Sequence, residues 1–117
     1  MSLEDMARQQ AEWDARARAA QGAAAQAYAR LLKLAEQSDT GQARRIAKFL
    51  ASTYNGEAFP FDLFELRAVD VEISDDMLAC LDALRWAKAA LHTLVPGGSS
   101  RIEAVCHTWG LVGPEPT

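Results

Sequence analysis

From Leu3 to Leu34 an apolar position returns every third or fourth residue, and no proline interrupts the chain before Pro60. That pattern constrains the fold more than any other feature. Leu3, Met6, Gln10, Trp13, Ala17, Ala20, Ala24, Ala27, Leu31 and Leu34 form a heptad seam in which nine of ten positions are apolar. Eleven alanines between Ala7 and Ala29 add strong helix propensity. Glu4/Arg8, Glu12/Arg16 and Asp14/Arg18 stand four residues apart and support the polar side. A straight helix over 3–36 would be about 50 Å long, whereas a compact globule of 117 residues is only about 35 Å across. Such an arm must overhang, bend or find a partner. Gly22 supplies the alternative, a break that leaves 23–36 on the core and 1–21 as a frayed tail.

Downstream, helix starts and stops punctuate the chain. Asp39 and Gln42 have capping-box spacing ahead of Ala43, Ile46, Ala47, Leu50 and Tyr54, and Asn55-Gly56 reads as a left-handed stop. Phe61, Asp62, Glu65 and Leu66 combine a capping box with a hydrophobic staple, so a short helix is expected from Leu63. Ser74 then offers an N-cap with Ile73 and Leu78 as a second staple. A long helix should follow, bearing Leu81, Leu84, Leu91, Leu94 and Val95 and ending at Pro96-Gly97-Gly98. Trp86 lies off its main stripe beside Ala79, Ala83 and Ala90, where another helix could cross closely. Ser100-Arg101-Ile102-Glu103 reads as a capping box for a last helix to Trp109, with Gly110 as stop and Leu111 folding back. The expected fold is all-α with four to five helices. An N-terminal helical arm (1–26) precedes a helical core (27–112) and a flexible tail (113–117).

Within this pattern DTGQARRIAKFLASTYNG (39–56), FDLFELRAVD (61–70) and DDMLACL (75–81) resemble a family of small, uncharacterised proteobacterial proteins, often associated with integrative mobile elements and carried as a domain of unknown function. The resemblance covers roughly the middle half of the chain. It implies a bacterial, cytoplasmic setting and a helical core from about Ala27 to Val95, and it names no activity.

Charge narrows the function classes. Residues 1–58 carry eight Lys/Arg against seven Asp/Glu, and residues 59–117 carry four against nine, so no global attraction to phosphate or anionic lipid is expected. No run approaches the ~20 apolar residues of a membrane span, and MSLEDMARQQ has no secretory character. Cys80 and Cys106 are the only cysteines, which suits a reduced cytosolic chain.

Chemical candidates can be weighed residue by residue. Seven carboxylates between Asp62 and Asp82 face only Arg67, yet Asp62, Asp75 and Asp76 suit helix starts and no calcium-loop spacing occurs. Glu103, Cys106 and His107 share one helix but lack further zinc ligands, since His92 and Cys80 complete the inventory. No nucleophile elbow or phosphate-binding glycine loop is present. No cofactor, metal, small-molecule substrate or enzymatic activity is therefore expected.

Two binding functions stay open. The main expectation is a protein-interaction module, a homodimer or a pairing with another helical protein, using an arm of Leu3, Met6, Trp13, Ala17, Ala20 and Ala24. The alternative is a nucleic-acid accessory using Arg44, Arg45 and Lys48, although Asp62 and Glu65 follow a turn too long for a helix-turn-helix.

Overall fold

The structure is a computed structural model that describes residues 2–86 and 88–111. Helix α1 runs unbroken from Leu3 to Gln37, and α2 spans Gly41–Tyr54. A 3-10 turn at Leu63–Ala68 leads into α3 (Val71–Trp86), a second 3-10 turn occupies Leu91–Leu94, and α4 spans Gly98–Thr108. No strand occurs among the described residues.

Helix α1 sets the shape. At 1.5 Å per residue its 35 residues reach about 52 Å, and the longest dimension of the molecule is 53 Å. Gly22 does not break it; the glycine is exposed, and a Cβ there would meet nothing within 4 Å. Ser2 caps the helix by accepting the Asp5 N–H, and Glu4 and Asp5 oppose the positive end of the dipole.

The core lies along the second half of α1. Ala17, Ala20, Ala24, Ala27, Tyr28, Leu31, Leu32 and Ala35 are buried there. Helix α3 is its main neighbour and contributes Met77, Cys80 and Ala83. The two run antiparallel: Asp76 accepts a two-pronged ion pair from Arg30, while ten residues later Trp86 meets Arg16. Small side chains at Ala17, Ala20, Ala24 and Ala83 let the backbones approach, the close crossing expected beside Trp86. Ile46, Phe49 and Leu50 of α2, Leu91 and Val95, and Ile102 and Val105 of α4 complete the core. Each large aliphatic group so buried contributes about 1.5–3 kcal/mol.

Several local expectations need correction. Thr40, not Asp39, caps α2 by accepting the Ala43 N–H, and Gln42 instead reaches Asp70. Asn55 is extended rather than left-handed, and its side chain accepts the Ala58 N–H. Ser74 is not a cap, because α3 begins one turn earlier; the Asp70 carbonyl accepts from Ile73 and Ser74, and the Ser74 hydroxyl donates to the Val71 carbonyl. The cause is Gln42, whose amide oxygen accepts the Asp70 N–H at 2.7 Å while its nitrogen donates to the Asp70 carboxylate. Leu78 consequently points to solvent, and only Ile73 of that staple packs on the core.

Two larger departures concern the C-terminal half. The long helix stops at Trp86 instead of reaching Val95, which brings Leu91 and Val95 back into the core. Helix α4 starts at Gly98, two residues before Ser100, because Gly97 is left-handed at φ 64° and Gly98 lies against the His92 carbonyl. At the other end Gly110 (φ 65°) behaves as expected. Its N–H bonds the His107 carbonyl while Leu111 N–H bonds that of Cys106, and Leu111 folds onto the core. The expected flexible tail at 113–117 lies outside the described residues.

Candidate interaction surface

The heptad seam splits into two parts. From Ala17 to Leu31 it is covered within the molecule, so Ala17, Ala20 and Ala24 are core residues rather than open surface. Before Ala17 it is bare, and Leu3, Met6 and Trp13 are 84%, 53% and 43% exposed. The boundary falls where α3 ends. Trp86 lies 5.3 Å from the Arg16 guanidinium and 4.9 Å from that of Arg85, and Lys88 Nζ lies 3.7 Å from Asp14. A continuation of α3 would have covered Trp13 and the residues before it. The turn that returns Leu91 to the core leaves Leu3, Met6 and Trp13 exposed among the described residues.

The proposed basic face is mostly occupied. Arg45 donates to Glu65 Oε1 at 3.0 Å, and Lys48 lies 3.4 Å from the same oxygen, leaving Arg44 exposed on the helix. Glu65 thus departs from its capping-box role and ties the 3-10 turn to α2. Asp62 keeps its expected role by accepting the Phe64 N–H. Phe61 and Leu66 both pack on the core, Phe61 edge-on to Phe49 at 5.5 Å. Phe64, by contrast, is exposed beneath Arg67.

The acidic stretch is spread over separate structural tasks. Asp62 caps, Glu65 holds Arg45 and Lys48, Asp70 holds Gln42, Asp76 holds Arg30 and Asp82 holds Arg85. An open groove of about 470 Å³ includes Leu34 and Ile73 among two cations, Arg30 and Lys33, and two anions, Glu72 and Asp76, of which Arg30 and Asp76 pair with each other. Among the described residues no group of three or more His, Cys, Asp or Glu side chains is placed to hold a metal ion.

The Glu103, Cys106 and His107 group also disperses. Glu103 accepts from the Tyr54 hydroxyl at 3.2 Å, Cys106 turns into the core, and His107 faces solvent. Burial pushes the Cys106 thiol up and carries that of Cys80 to about 12, so neither is set up as a thiolate nucleophile. Sequence spacing did not reveal the Tyr54 cluster, because Tyr54 is far in sequence from His92, Ser99 and Glu103. The Tyr54 hydroxyl also lies 3.1 Å from Ser99 Oγ, and its ring meets the His92 imidazole edge-on at 5.0 Å. These contacts fasten α4 to α2; Ser99 bonds the phenol, not an imidazole that could act as its base.

Family comparison places this core. A model described as a family of unknown function, DUF7673, matches residues 25–110. The chain belongs to that family. The DUF7673 match opens inside α1, after the bare part of the seam, and includes α2, α3 and α4. No curated protein and no solved structure matches. No helix of the described DUF7673 chain is long and apolar enough to cross a membrane.

Proposed function

We propose that this chain is a non-enzymatic helical interaction module whose arm pairs with a second copy. The supporting observation is the bare end of α1, where Leu3, Met6 and Trp13 continue the seam that α3 covers farther along. Exposed apolar groups in a line, on a helix already ordered by its own core, gain by burial and need little further ordering to pair. The arm offers only three large side chains, so the dimer is reversible rather than obligate.

The setting proposed with this function is the reduced bacterial cytoplasm, among small proteins often carried with integrative mobile elements. Two free, buried cysteines suit that compartment. The nucleic-acid alternative is weaker, because Glu65 engages Arg45 and Lys48, two of the three cations it would use.

Sedimentation velocity on the wild type and on Met6→Glu tests the proposal. The wild type should show a concentration-dependent increase in sedimentation coefficient over the micromolar range, and Met6→Glu should remain monomeric at unchanged helicity. Indistinguishable behaviour of the two proteins would contradict it.

A further inference from the structure

We infer that the two arms pair antiparallel, so that the arm of each copy extends the line of α3 on the other. The inference rests on the self-association proposed above and adds its geometry. Along α1 the seam faces α3 from Ala17 onward and faces solvent from Leu3 to Trp13. Paired helices sit about 8–10 Å apart. If two copies met in parallel through the bare stripe, both α3 helices would have to occupy the space between the two α1 helices from Ala17 onward. The α1 axes would then have to separate by about two helix diameters within one turn, and α1 is an uninterrupted helix.

The antiparallel arrangement has no such conflict. With Leu3 of one copy opposite Trp13 of the other, the symmetry axis lies near residue 8 of each arm. The arm of the second copy begins where α3 of the first ends, beside Trp86, so the occupant has the length of the vacancy. Charge favours the same orientation. The first turn of α1 carries Glu4 and Asp5, while Arg16 is exposed beside the end of α3, where Arg85 is already paired with Asp82 and Lys88 with Asp14. Antiparallel pairing brings the acidic turn of one copy toward Arg16 of the other. Parallel pairing would set the acidic turns side by side. Ala7 and Gln9, which flank the seam at the symmetry axis, carry no charge to repel.

The test uses the full chain with Gln26→Cys, an exposed position on α1, carrying a nitroxide label. Cys80 and Cys106 are buried, so the wild-type protein serves as the unlabelled control. Gln26 is 18 residues from the axis, so pulsed electron spin resonance on a dimer should give a distance near 54 Å at 1.5 Å per residue. A dimeric mass with a label separation under about 35 Å would overturn the antiparallel geometry and leave self-association standing. A monomeric mass with no dipolar signal would overturn both.

Discussion

The Arg16 guanidinium stands 5.3 Å from the centre of the Trp86 ring, at the point where α3 ends and the uncovered part of α1 begins. Arg85 approaches the same ring at 4.9 Å. Trp86 is therefore the last residue that α3 places on the α1 seam, and it separates the part of α1 the molecule uses for itself from the part left open. Trp86→Ala should cost about 2–3 kcal/mol, below the range for a fully buried tryptophan because the ring is partly exposed. Arg16→Ala should cost no more than about 1 kcal/mol, the scale of a cation–π contact at an exposed site. Urea unfolding of the two variants checks both values.

Two glycines should respond to alanine with opposite sign. At Gly98 a Cβ would come within 1.8 Å of the His92 carbonyl oxygen and 2.8 Å of its carbon, so backbone must move. Gly98→Ala should destabilise by more than about 3 kcal/mol or prevent folding. Gly22 is helical with open space around it, and Gly22→Ala should stabilise by about 0.5–1 kcal/mol. Thermal unfolding followed by circular dichroism separates the two outcomes.

Phe61 meets Phe49 edge-on and packs on the core while remaining partly exposed. Phe61→Ala should lower stability by about 2–3 kcal/mol, and Phe64→Ala, at an exposed ring, by less than about 1 kcal/mol. Denaturant midpoints of the pair measure the difference. Equal midpoints would mean that the 3-10 turn does not hold Phe61 against α2.

Alkaline pH should unfold the protein through two buried groups. Desolvation raises Tyr28 from 10.0 to about 12 and Cys80 from 9.0 to about 12. The unfolded chain ionises both groups before the folded one does. Their contribution is therefore full below pH 9 and falls as pH rises from about 9 to about 12. By pH 11 the combined loss is about 4 kcal/mol, comparable with the whole stability of a small domain. Urea midpoints at pH 8, 10 and 11 should fall steeply over the last step, and a thiol reagent should react with Cys80 only as that transition proceeds. On the acid side Arg101 holds the Glu36 carboxyl below its usual value, so that contribution is present above about pH 4.5 and fades as pH falls further. Arg101→Gln should remove this acid-side slope.

The local signals in the sequence were legible where a single turn decided the outcome. Gly110 and Leu111 close α4 with backbone hydrogen bonds among neighbours, and Asp62 caps the residue two ahead. Long-range contacts overrode local signals elsewhere. Ser74 had a cap's surroundings, but Gln42, 28 residues from Asp70, started α3 a turn sooner. Glu65 had a capping box's spacing and went instead to Arg45 and Lys48. No glycine or proline lies between Trp86 and Val95, so periodicity alone extended α3 through a region where burial of Leu91 turns the chain. The arm was legible as a helix from Leu3, but the division of its seam at Ala17 was not, because that division is set by where α3 stops.

Pairing through the arm is read from the mass of the intact chain in solution, by light scattering across micromolar concentrations. The mass should rise from 12.7 kDa toward twice that value as concentration increases, with the rise suppressed in Leu3→Glu. A mass that stays at 12.7 kDa throughout would contradict pairing through the arm, and a dimer undiminished by Leu3→Glu would place the interface elsewhere.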